Sequence, residues 1–271
     1  MYFILGLVYS PYMNKSTIIG IVVLLAALAG IVYLASVPPT PAKAPGTTSI
    51  LPVSGAYAEH AAYYDIAANY PTTTPLRSTV STASDDAAIT LVQGGVKQVI
   101  DQFKADGKFD QLTAEDIKMM GFDQGRKETL QINYLIASSP RTGSYIFTIY
   151  MDTLGAHPNG FFKTYTFDAT TGAPLALKDL FAPGTDYLGM LSSQARAKLP
   201  EVMGKQFADA AYIKEGTTPE EKNFSNFFFD NADFVVLFPP YQVAAYAAGP
   251  QTLRIPVAQI RDLLKPEYRQ Q

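Results

Sequence analysis

The chain contains no cysteine, which removes disulfide frameworks, Cys-ligated zinc, iron-sulfur clusters, thiol nucleophiles and the lipidated cysteine of a bacterial lipoprotein together. Histidine is nearly as scarce. Only His60 and His157 are present, so a metal site with two or more His ligands would have to use both, and most zinc hydrolase chemistry is disfavoured. Charge is also thin, at 17% of residues with a formal net charge of -3, and it supplies no basic stripe for a phosphate backbone. No nucleic-acid partner is expected. Catalytic signatures are missing in the same way: there is no G-x-S-x-G elbow, no S-x-x-K and no H-E-x-x-H. Gly94, Gly95, Val96 and Lys97 lack the glycine four residues earlier that a phosphate loop needs. The pair Asp85 and Asp86 reads as a helix N-terminus answering the macrodipole, not as a general acid and base. No catalytic residue, metal or organic cofactor is implied.

What is present is enough to fold. The chain has 271 residues, 48% hydrophobic and 12% aromatic, sufficient for one large domain or two small ones with an appendage. The appendage is the charge-free run Thr17 to Val37, which at about 1.5 Å per residue spans a hydrocarbon core of about 30 Å. It exceeds an ordinary signal-peptide h-region, and Ala42 to Ala44 fits a cleavage site several residues too late, so an uncleaved transmembrane anchor is expected. Lys15 is the one charge before it, which puts residues 1–16 inside as a short cytoplasmic tail and everything after Val37 outside. Met13 is a second candidate initiator. Residues 38–54, rich in Pro, Ala and Thr, read as a semi-extended tether.

From Gly55 onward the pattern predicts an α+β domain, an antiparallel sheet with packed helices. Tyr63 to Tyr70 reads as the first strand. Ala87 to Phe103 sets Val92, Val96, Ile100 and Phe103 at helical spacing, with Gly94 and Gly95 each costing about 1 kcal/mol relative to Ala. Thr113 and Asp116 form a near capping box for a short helix ending at Gly121. Period two then dominates: Leu130, Ile132, Tyr134 and Ile136, next Tyr145, Phe147, Ile149 and Met151, next Phe161, Lys163, Tyr165 and Phe167. Asp168 to Gly172 signals a hairpin, Thr185 or Asp186 caps a helix through Leu199, and Thr218 to Glu221 opens another. Phe234 to Phe238 reads as a buried strand beside Leu253 to Ile255, and Val257 to Leu264 as a closing helix.

Two segments stand out as candidate sites. His157 sits in a turn with Gly155, Pro158 and Asn159, where its imidazole either satisfies loop carbonyls or meets a ligand. Phe238 to Gly249 is a long apolar and aromatic loop almost devoid of charge. Its Tyr241 and Tyr246 are either lids of the core or anchors of a binding face.

These segments carry a family resemblance. Gly155 to Asn159, Lys163 to Asp168, Thr171 and Gly172, Leu177 to Phe181, and Phe238 to Gly249 resemble, in order and spacing, the extracytoplasmic domain of RsiV-type anti-sigma factors. The same domain pair occurs beside the catalytic domain of PdaC-type peptidoglycan deacetylases. The resemblance implies a PdaC-type part over residues 55–150 and an RsiV-like part over residues 151–268. It further implies a single-pass protein whose external domain recognises a protein such as lysozyme, or peptidoglycan. The residues it implicates, with those singled out above, are Pro240, Tyr241, Gln242, Tyr246, Gly249, His157 and Asn159. Ala245 stands where the family usually has Pro. A cytoplasmic sigma-binding segment and a deacetylase domain are both absent from the sequence as read, so the expected role is an envelope binding or sensor module, not an enzyme. The competing readings are a wall hydrolase drawing on Asp152, Asp168, Asp230 and Asp233, and an accessory structural domain of an envelope complex.

Overall fold

The computed structural model describes residues 54–72 and 82–269. The expected tail, anchor and nearly all of the tether lie outside the described residues. Among the described residues no helix is long and apolar enough to cross a membrane.

Six strands form the main sheet in chain order: β1 (Ser54–His60), β2 (Tyr64–Pro71), β3 (Glu128–Ser138), β4 (Thr142–Asp152), β5 (Asn159–Asp168) and β6 (Pro174–Leu175). Neighbours run antiparallel except β2 and β3, which are parallel. The expectation of a purely antiparallel sheet is therefore corrected to a mixed one. The cause is the connection: α1 (Thr82–Gly107) and α2 (Ala114–Met120) lie between β2 and β3, a crossover that returns the chain to the end where β2 began. The expected first strand also has a predecessor. β1 begins at Ser54, where the tether was expected to end, and pairs along its whole length with β2.

One face of this sheet carries α1. Val92, Val96, Ile100 and Phe103 bury against Ile66, Leu130, Ile132, Tyr145, Phe147 and Ile149, the helical stripe meeting the period-two stripe. Gly94 and Gly95 are both tolerated, for different reasons. Gly94 faces open space, whereas a Cβ on Gly95 would overlap the hydroxyl of Tyr165, so the helix comes close to β5 only because that side chain is missing. Thr113 caps α2 through the expected capping box, its hydroxyl accepting from the Asp116 N–H at 3.1 Å.

The second sheet has three strands, β7 (Phe227–Asp230), β8 (Asp233–Phe238) and β9 (Gln251–Pro256), all antiparallel. Its core joins Phe229, Phe234, Val236 and Ile255 to Leu191, Ala195 and Leu199 of α4 (Tyr187–Met203). Before and after α4 lie α3 (Leu177–Leu180) and α5 (Ala210–Gly216), and α6 (Val257–Ile260) follows β9. Asp186 is the cap of α4, accepting from the Gly189 N–H at 3.0 Å. The two sheets meet where Ala137 and Ile146 of the first pack on Phe228 and Val235 of the second. Polar groups are matched at the same junction: Thr166 donates to the Phe227 carbonyl at 3.0 Å, and its hydroxyl lies 2.9 Å from that of Ser144. The expected boundary between residues 150 and 151 falls inside β4, and the six-stranded sheet runs across it.

Beyond that junction the face opposite α1 is open. Register sets its side chains in rows across the strands. One row is Ala58, Ala67, Gln131, Tyr150 and Gly160; the next is Ala56, Asn69, Asn133, Thr148 and Phe162. Ala56, Ala58, Ala67, Asn69, Gln131, Asn133 and Thr148 are exposed.

Candidate functional site

The two segments singled out in the sequence come together. Asp152 ends β4 by accepting from the Leu154 N–H at 2.9 Å, and Leu154 turns the chain with φ 59°. This delivers His157 to the rim. Its Nδ1 lies 3.0 Å from the Pro158 carbonyl oxygen and its Nε2 lies 2.7 Å from the Tyr241 hydroxyl, 84 residues away. A carbonyl can only accept, so Nδ1 carries the proton. In the neutral ring Nε2 is then the acceptor, and the Tyr241 hydroxyl donates to it. Tyr246 stacks on the imidazole at a centroid distance of 3.9 Å and an interplanar angle of 17°, and the two tyrosine rings lie 5.5 Å apart. Three rings thus form one cluster.

The loop after β8 is held as a specific shape. The Gln242 N–H donates to the Pro239 carbonyl at 3.2 Å, closing a turn with Pro240 second and Tyr241 third. Tyr241 has φ 70°, a left-handed conformation that costs a residue with a Cβ about 1–2 kcal/mol. It is 48% exposed despite its size. Gln242 ties the loop down, its amide donating to the carbonyls of Gly216 at 3.1 Å and Asn223 at 2.9 Å. Gly216 makes that docking possible, because a Cβ there would overlap the Gln242 carbonyl oxygen. Val243 and Ala244 are buried in the second core. Gly249 has φ 67°, and its carbonyl accepts from the Gln251 amide at 3.3 Å. Asn159 is exposed at the start of β5 opposite Met151, outside the ring cluster. Of the residues singled out, then, His157, Tyr241 and Tyr246 converge, Pro240, Gln242 and Gly249 shape the loop, and Asn159 stands apart.

Sequence reasoning missed Tyr150. Burial pushes its phenol upward, followed by the charge of Asp152 and the neighbouring Tyr246; burial likewise raises Tyr246, then Tyr241 and Asp152. Tyr150 alternates with Thr148 against the helix-facing Ile149 and Met151, and that alternation was the available signal. The acids considered for hydrolysis are dispersed. Asp168 is buried, which alone would raise its pKa, but the Thr171 N–H, the Tyr268 hydroxyl at 2.9 Å and the Thr170 N–H hold it low. Asp230 and Asp233 both pair with Arg254, at 2.6 and 3.0 Å. Asp152 alone of the four adjoins the rings. Among the described residues no group of three or more His, Asp or Glu side chains is placed to hold a metal ion. A cavity of about 290 Å³ lies elsewhere, between β5, β6 and the segment around Ser225, and none of the cluster residues lines it.

Fold and cluster together define an α+β domain in which loops from two sheets present aromatic rings at one edge. Residues 178–258 match the family model described as "Protein of unknown function (DUF3298)". The chain is 34% identical over 145 residues to the peptidoglycan-N-acetylmuramic acid deacetylase PdaC of Bacillus subtilis (strain 168). That match covers 53% of this chain and 31% of the deacetylase, so the chain spans about a third of this curated relative. A crystal structure of a DUF3298 family member from Bacteroides fragilis NCTC 9343 superposes with a TM-score of 0.53 at 15% identity, covering 79% of this chain and 93% of that one. A DUF3298 family protein from Pseudomonas aeruginosa PAO1 gives a TM-score of 0.47 at 11% identity, over 81% and 95% of the two chains. Residues 178–258 are thus a DUF3298 segment, and the chain shares homology with part of PdaC, in keeping with the resemblance to PdaC-type proteins.

Proposed function

We propose that the protein is a binding module of the cell envelope without catalytic activity, and that Tyr241, Tyr246 and His157 form its ligand-facing edge. In this reading Thr17 to Val37 anchors the chain, the domain faces the extracytoplasmic side, and the ligand is a protein such as lysozyme or peptidoglycan itself. The similarity to part of a deacetylase named for peptidoglycan supports the wall as its setting. The observation that carries the reading is Tyr241. A large ring is held half exposed in a backbone conformation that disfavours it, where glycine would relieve the strain, and strain of this kind accompanies recognition sites. A rigid tyrosine also presents contact area at little conformational cost.

The test is a pull-down of the full chain with hen egg-white lysozyme and, separately, with purified peptidoglycan, turnover being assayed in the same tubes. One of the two is retained without turnover. Tyr241→Ala lowers that affinity at least about tenfold, equivalent to 1.4 kcal/mol, while the melting temperature holds. Release of muropeptides or acetate by the wild-type chain would sink the non-catalytic reading. A neutral Tyr241→Ala would sink the role of the ring edge.

A further inference from the structure

The open face of the six-stranded sheet has a composition that the ring edge does not account for. Its centre carries amides, hydroxyls and two aromatic rings, with no charge: Asn69, Gln131, Asn133, Thr148, Tyr150 and Phe162. Charges stand at one rim, where Asp65 is matched by Lys127 at 3.1 Å and by His60 at 2.9 Å. Beside the amides lies a shelf of exposed alanines, Ala56, Ala58 and Ala67.

We propose that this face is a second binding surface, adjoining the ring edge at Tyr150, and that its ligand is a polysaccharide of uncharged sugar rings bearing hydroxyl and acetamido groups. Each part of the face has a counterpart in that chemistry. The Asn69 amide donates to the Asn133 Oδ1 at 2.8 Å, which fixes both amide planes and leaves the Asn69 Oδ1 and the Asn133 amide hydrogens to face hydroxyls. The alanine shelf suits an acetamido methyl. Tyr150 lies opposite Gly160, and a Cβ built on Gly160 would meet nothing within 4 Å, so open space adjoins the phenol on the side where a pyranose face would stack. Five strands at about 4.8 Å spacing make the rows about 19 Å long, room for a short oligosaccharide. An anionic ligand finds no cation at the centre, and the large apolar side chains of this face, Phe162 and the 48% exposed Leu135, lie on the side toward the sheet junction. Its amides and alanines lie outside the ring cluster, so the proposal does not require a role for Tyr241.

The experiment is calorimetric titration of the full chain with chitotetraose, with cellotetraose as the ring polymer lacking acetamido groups. Chitotetraose binds more tightly than cellotetraose. Gln131→Ala and Gly160→Leu, the second filling the open space beside Tyr150, each weaken it at least about tenfold with an unchanged melting temperature. Tyr241→Ala leaves it unchanged. Absence of binding, equal affinity for the two sugars, or unchanged affinity in both face variants overturns the proposal. So does loss of sugar binding in Tyr241→Ala, which moves the sugar to the ring edge, or loss of lysozyme binding in the face variants, which makes the face a protein-docking surface.

Discussion

The hydroxyl of Tyr165 occupies the space where a Cβ on Gly95 would project, next to a glycine, Gly94, that faces open space. Adjacent glycines in one helix therefore have opposite sensitivities. Gly94→Ala raises stability by about 1 kcal/mol through helix propensity. Gly95→Ala lowers it by about 1–3 kcal/mol, because the Tyr165 ring is forced out of its packing. Urea denaturation of the two variants measures both signs.

Gly216 and Gln242 make a second such contact, this one backbone on side-chain space. Gly216→Ala pushes the Gln242 carbonyl away and loosens both amide hydrogen bonds that tie down the loop. The expected result is a loss of about 2 kcal/mol or more, together with weaker binding at the ring edge. A crystal structure of that variant with an unmoved Tyr241 would contradict the docking role.

Ala245 has φ -59°, close to the angle a proline ring imposes. The backbone at this position already has the angle that a proline would enforce. Ala245→Pro accordingly stabilises the protein by about 0.4–1 kcal/mol by restricting the unfolded chain, read as a rise in melting temperature with binding intact.

Glu59 joins β1 to α1 through Lys104, with the hydroxyls of Tyr57 and Tyr64 on the same carboxylate. The Lys104 ammonium, then Tyr57 and Tyr64, hold its pKa down at about 2, against an ordinary value of 4.5. A depressed folded pKa gives stability that is fully present above about 4.5 and is lost as pH falls toward about 2. Glu59→Gln removes that slope from the acid limb of a stability profile, and a profile identical to wild type between those values would refute the link.

The parts of the fold legible in the sequence were those where burial imposes a period. β3, β4 and β5 announce themselves because one face packs on α1, and Val92, Val96, Ile100 and Phe103 mark the matching helix stripe. β1 was illegible for the complementary reason: Gly55, Ala56 and Ala58 lie at the sheet edge beside an open face, so nothing there alternates with water. α5 escaped notice because its signal is local. Asp209 caps it through the N–H groups of Ala211 and Tyr212, in a stretch with little apolar periodicity. The parallel pairing of β2 and β3 is a property of where a crossover lands, which no window of residues contains. At the candidate site, composition picked out His157, Tyr241 and Tyr246 singly. Their meeting depends on the packing of one sheet upon the other.

That meeting has a mechanical side. His157 hangs from the six-stranded sheet and Tyr241 from the three-stranded one, so the hydrogen bond between them crosses the seam along which the two sheets could slide. A partner gripping both rings would act as a rivet through two plates. Shear along the seam would stiffen, and amides around Ile146 and Val235, well inside the protein and untouched by the partner, would exchange more slowly whenever it is bound.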